Sequence, residues 1–169
     1  RSTMRFWIKK CPECGYVHGD IEKNAKQHKT FIKSKKYKLC EGKKIESVLA
    51  RGFYKYGLIL LCEQETVRAY DAFLHAAWVS DDNNDKKGAQ YCRDRAIELY
   101  DDALFDNPNL QLRHVDLLRR TGRFSEAVKF CDEHVFDEGI MKKISEFQKK
   151  LCQSKDTGCY CIADCNEIL

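Results

Sequence analysis

The chain has 169 residues, 43% of them hydrophobic and 33% charged, with a formal net charge of +4. That is room for one ordinary core, or for a small module beside a larger one, in a chain charged enough to stay in water. The longest apolar run, Gly57 to Cys62 between Lys55 and Glu63, falls far short of the ~18 residues of a membrane span, so no membrane partner is expected.

Arg1-Ser2-Thr3-Met4 opens the chain with no apolar stretch behind it, so no signal peptide is expected. Either Met4 is the native start or the chain is a piece of something longer. Ten cysteines in such a chain point to a reducing, cytoplasmic setting rather than to a disulfide framework. Charge is uneven. Residues 1–44 carry thirteen Lys/Arg against four Asp/Glu, and residues 45–169 carry seventeen against twenty-two. The composition changes near Glu41-Gly42.

In chain order, Met4 to Lys9 reads as a short strand delivering Cys11-Pro12-Glu13-Cys14-Gly15-Tyr16. This is a zinc knuckle: Pro12 presets a tight turn, and Gly15 accepts a positive φ. Backbone N–H groups in such a turn can donate to the sulfurs. Zinc takes four ligands in a tetrahedron, so Cys11 and Cys14 supply half a structural site. Residues 20–42 are polar and Lys-rich, with one helical piece expected from Ile21 to His28 and a solvated connector through Lys33–Lys38. Residues 1–42 thus form a basic knuckle segment.

From Lys43 the apolar positions recur with a helical period. Ile45, Val48, Leu49, Phe53, Tyr56 and Leu60 share one face of a first helix, in which Gly52 and Gly57 imply close neighbours. Val67, Tyr70, Leu74, Ala77 and Trp78 define a second, ending in the loop Ser80–Asn84. Ala89, Cys92, Ala96, Ile97, Tyr100, Ala103 and Leu104 define a third, stopped at Asn107-Pro108. Leu112, Val115 and Leu118 mark a fourth, closing at Thr121-Gly122. Ala127, Val128, Cys131 and Val135 mark a fifth, and Ile140, Ile144, Phe147 and Leu151 a sixth. Cys62, Cys92 and Cys131 fall in these stripes, where a thiol packs like a small hydrophobe. Six helices with short loops predict a mostly α fold of antiparallel hairpins over residues 43–152, with a Cys-rich tail at 153–169.

The run Arg95–Ala103 followed by Pro108 resembles the second helix and terminus of a tetratricopeptide repeat, and Leu117–Ala127 resembles the Gly turn of another. The two units are thirty-one residues apart, Ala96 to Ala127, which is short of the usual spacing. The order of features is Phe6–Tyr16, a basic linker, Ala76-Ala77-Trp78-Val79, then Leu118–Phe124. Together they resemble a bacterial family of uncharacterised proteins that pairs Cys-Pro-x-Cys knuckles with a tetratricopeptide-like helical domain. The resemblance covers residues 5–150. It implies zinc and a helical scaffold, and no established activity. That family places a further Cys-Pro-x-Cys pair upstream, for which this chain has no residues.

Three sources compete for the remaining ligands: residues upstream of Arg1, Cys40 with His28 or His18, and the tail. The tail carries Cys159-Tyr160-Cys161 with Cys165 in reserve, and Cys159 and Cys161 are the preferred pair. The function expected is a non-enzymatic, zinc-braced helical-repeat protein serving as a scaffold for a protein or peptide partner. Arg119, Arg120 and Arg123, with Arg113, are surface candidates for acidic partner groups. The alternative is nucleic-acid binding through the basic segment, where Trp7, Tyr16 and Tyr37 interleave with cations. Enzyme chemistry has no local signature: the chain lacks His-Glu-x-x-His, a Gly-rich phosphate loop and paired carboxylates beside the cysteines.

Overall fold

A computed structural model of the chain describes residues 3–23, 25–38, 44–136 and 139–166. The protein is mostly helical and divides into two compact units, Arg1–Leu99 and Tyr100–Leu169. The composition boundary near Glu41-Gly42, like Cys40, lies outside the described residues.

The first unit begins with a 3-10 turn, Met4–Phe6. The strand expected from Met4 to Lys9 is reduced to β1 (Lys9–Lys10), paired antiparallel with β2 (Val17–His18). Met4 and Ile8 are buried while Phe6 and Trp7 are largely exposed, so the segment turns to bury two side chains without alternating. The helix expected over Ile21–His28 is absent from the described residues there, which form turns. Asp20 accepts the Glu22 amide at 3.1 Å, and the Lys23 carbonyl accepts the Tyr16 hydroxyl at 2.7 Å. Those local bonds compete with helix formation.

A four-residue helix, α1 (Lys35–Lys38), replaces the expected solvated connector and buries Tyr37. Next come α2 (Val48–Cys62), α3 (Thr66–Asp82) and α4 (Lys86–Ile97). Ser47 caps α2 by accepting the Ala50 amide. The middle helix, α3, packs against both α2 and α4 across three-residue connections, the geometry of antiparallel neighbours. The close approaches implied by the two helical glycines are present. A Cβ on Gly57 would lie 2.8 Å from the Phe73 ring, and one on Gly52 would lie 2.9 Å from Ile8 Cδ1. Asp85 caps α4 through the Gly88 amide and also accepts the Glu46 amide, both at 2.8 Å, tying the entry of α2 to the start of α4.

Two helix boundaries depart from the sequence reading. α3 runs through Ser80–Asp82 before turning at Asn83 and Asn84, whose φ is +57°. α4 stops at Ile97, leaving Tyr100, Ala103 and Leu104 outside it. Cys92 is buried as expected, whereas Cys62 is exposed at the end of α2.

In the second unit, α5 (Pro108–Arg120), α6 (Phe124–Glu133) and α7 (Gly139–Gln153) each touch the other two. Asn107 caps α5 with Pro108 in its first turn, and Gly122 supplies the positive φ of the α5–α6 turn. Ala127, Cys131, Phe147 and Leu151 are buried; Val135 and Ile140, expected in the core, are exposed. Tyr100, His114, Phe130 and His134 form an aromatic stack, with the His114 and Tyr100 rings 3.9 Å apart. No helix among the described residues is long and apolar enough to cross a membrane.

Candidate metal centre

Cys11 and Cys14 occupy the connection between β1 and β2. The Cys11 amide donates to the Tyr16 carbonyl at 2.8 Å, and the Gly15 amide closes the turn onto the Cys11 carbonyl at 3.0 Å. Gly15 holds φ at +74°, a region open to glycine and costly to residues bearing a Cβ. The backbone amides of Cys14 and then Glu13, followed by the Cys14 thiol, lower the Cys11 pKa. Cys11 is half-buried and Cys14 exposed. The pair is a soft, outward-facing, two-sulfur donor set with one thiol biased toward thiolate, which suits zinc.

Tyr37 fixes this turn from the other end of the basic segment. Its hydroxyl donates to the Gly15 carbonyl at 2.9 Å and accepts the Val17 amide at 3.1 Å. The ring packs edge-on to Phe31, and Lys55 Nζ of α2 lies 5.0 Å from its centre. β2 rests on α2. The Cys11–Cys14 turn is therefore seated on the helices of the first unit by a side chain that the sequence placed in a solvated linker. A lone aromatic among lysines was the only signal for it.

Tyr16 is wholly buried. The rings of His18 and His28 lie nearly parallel to it, at 5.9 and 6.0 Å. Glu63, one residue past α2, reaches both imidazoles: Oε1 is 3.1 Å from His28 Nε2, and Oε2 is 3.8 Å from His18 Nε2. Burial first, then the Glu63 charge, pushes the Tyr16 phenol up to about 12. His18 Nδ1 accepts the Asp20 amide at 3.0 Å, so the neutral ring carries its proton on Nε2 and presents no lone pair there. Both histidines pack around Tyr16 and Glu63. Among the described residues no group of three or more His, Cys, Asp or Glu is placed to hold a metal ion. Nothing in the sequence pointed to Glu63.

Cys159 and Cys161 belong to the second unit, and both are exposed. Cys165 is buried against Phe147 and Leu151, and that burial raises its pKa. Arg119, expected on the surface, is instead fully buried. Its guanidinium donates to Gln148 Oε1 and the Asp156 carbonyl at 2.6 Å, and to Asp116 Oδ1 and the Gly158 carbonyl at 2.8 Å. A guanidinium so engaged is part of the fold of its unit. Arg120 is half-buried. Arg123 is partly exposed and pairs with Glu126. Of the three aromatics expected to interleave with cations, Tyr16 and Tyr37 are buried and Trp7 is 48% exposed.

Residues 2–156 match the profile of a family described as an uncharacterised protein conserved in bacteria, DUF2225. Neither a curated protein nor a solved structure matches the chain.

Proposed function

The chain belongs to that uncharacterised bacterial family, and we propose that it is a non-enzymatic zinc protein whose helical hairpins serve as a scaffold for a protein partner. The observation that carries the metal half is the Cys11–Cys14 turn, with its amide-lowered thiol and its Tyr37 anchor. Zinc there would be structural, tying a polar segment with little core of its own to α2; metal binding of this kind is coupled to folding. Cys159 and Cys161, in the second unit, are a further candidate pair of zinc ligands. Zinc stoichiometry and stability of a Cys159→Ser/Cys161→Ser chain test them: unchanged values rule the pair out.

The scaffold half is supported by two sets of three helices with short connections, compatible with a tetratricopeptide-like arrangement. Arg120 and Arg123 remain the candidates for acidic partner groups. Affinity capture with and without nuclease tests the reading. A protein captured in both cases supports it, and RNA alone contradicts it.

One observation favours a second reading. Phe6, Trp7, Lys9 and Lys10 are all exposed and contiguous with the knuckle, and exposed aromatics among cations are the elements of a single-strand platform. Binding of that kind would weaken steeply with salt. A mobility shift absent at low salt would remove it.

A further inference from the structure

The tail that carries Cys159 and Cys161 is held at several points. Just past α7, Lys155 holds φ at +55°, its amide bonded to the Cys152 carbonyl at 3.1 Å, while the Asp156 amide reaches back to the Leu151 carbonyl at 2.9 Å. Arg119, fully buried on α5, then binds the carbonyls of Asp156 and Gly158, the second immediately before Cys159. The Asp156 carboxylate accepts the Gly158 amide at 2.5 Å and the Tyr160 hydroxyl at 2.6 Å. The Tyr160 bond first, then the Gly158 amide, hold its pKa down. The Tyr160 ring stands edge-on to Phe147 and lies 5.6 Å from the Arg119 guanidinium carbon. Beyond it, the Cys161 amide donates to Asp164 Oδ2 at 2.6 Å, and Cys165 is buried in the core. The chain is thus held ahead of Cys159 by backbone bonds, between the two cysteines by the Tyr160 side chain, and beyond them by Asp164 and Cys165, while both cysteine side chains are exposed.

Two bonds of the buried Arg119 guanidinium thus go to carbonyls just ahead of the exposed Cys159. We infer that Arg119 is a positioning residue that presents Cys159 and Cys161 as a preorganised two-thiol ligand for a soft divalent ion of the zinc class. Arg119 has this role only if the chain binds zinc through its thiols, as proposed above. The sulfurs would bind as thiolates, each releasing its proton to solvent. Residues that orient ligands without touching the metal act by lowering the reorganisation needed for binding, and their loss costs about 10–100-fold in affinity.

The test is zinc affinity of the reduced full-length chain, by competition with a chromophoric chelator, with helicity checked by circular dichroism. Cys159→Ser/Cys161→Ser should bind zinc more weakly than wild type. Arg119→Lys, which keeps the charge but loses the fork, should fall about 10–100-fold. Asp156→Ala, on the surface, should fall in the same direction, with Asp156→Asn restoring most of the loss. Should Arg119→Lys not fold, the Asp156 pair decides. Wild-type affinity in the double-serine chain overturns the inference, while loss of zinc from Cys11→Ser/Cys14→Ser would leave the knuckle reading standing. Weak binding in the double-serine chain with wild-type affinity in folded Arg119→Lys and in Asp156→Ala shows that the thiols are ligands and that Arg119 does not position them. A wild-type chain that binds no zinc overturns both readings.

Discussion

The Tyr37 hydroxyl donates to the Gly15 carbonyl at 2.9 Å while accepting the Val17 amide at 3.1 Å. One phenol thus closes the Cys11–Gly15 turn and the start of β2 together, 22 and 20 residues away in sequence. Tyr37→Phe leaves a buried amide and a carbonyl without their partner, a loss of about 1–3 kcal/mol. Urea unfolding should show a lower midpoint, and metal loss during the transition should begin earlier. An unchanged midpoint would mean that the turn holds itself.

Gly52 and Gly57 lie in the same helix and should respond differently to alanine. Either change gains about 1 kcal/mol of helix propensity. At Gly57 the new Cβ meets the Phe73 ring at 2.8 Å, at several of its carbons, in a buried contact. Overpacking of that kind costs about 1–3 kcal/mol, so Gly57→Ala should be net destabilising. At Gly52 the near atom among the described residues is the terminal Cδ1 of Ile8, which can rotate away, so Gly52→Ala should be close to neutral. Thermal midpoints of the two variants check the ordering.

The helices were legible because their apolar positions repeat, and α5 was bounded well because Asn107-Pro108 and Gly122 are strong stop and start chemistry. Legibility failed where tertiary contacts overrode the pattern. Tyr100 and Leu104 continue the stripe of α4, yet Tyr100 leaves the helix to stack on His114, and Asp101 takes the Ala103 amide at 2.9 Å. Tyr37, Glu63 and Arg119 each carry long-range bonds within their own unit and looked like ordinary surface residues. Their partners are distant in the chain: Gly15, His28 and Gly158. Cys11 and Cys14 were visible because their chemistry is local.

The second unit should weaken in mild acid through His114. Its ring is buried against Tyr100 and Phe130, and burial first, then the Arg123 charge, lowers its pKa to about 4 from 6.5. The folded state therefore disfavours the proton that the unfolded chain takes up. Stability is fully present above pH 6.5 and is lost as pH falls toward 4. A shift of this size corresponds to a few kcal/mol, roughly 3. Urea midpoints should decline over that interval, and His114→Phe should flatten the decline. The Asp102 carboxylate, lowered chiefly by the Tyr100 hydroxyl bond, contributes below the usual carboxylate range and so falls outside the window. An equal slope in the variant would assign the decline to other groups.

Metal content decides whether Cys11 and Cys14 hold a structural zinc. Zinc should be measured on the reduced, purified chain and on Cys11→Ser/Cys14→Ser, with unfolding midpoints for both. About one tightly held zinc per wild-type chain is expected, lost from the variant together with several kcal/mol of stability. A variant that keeps its zinc and its midpoint would contradict that assignment.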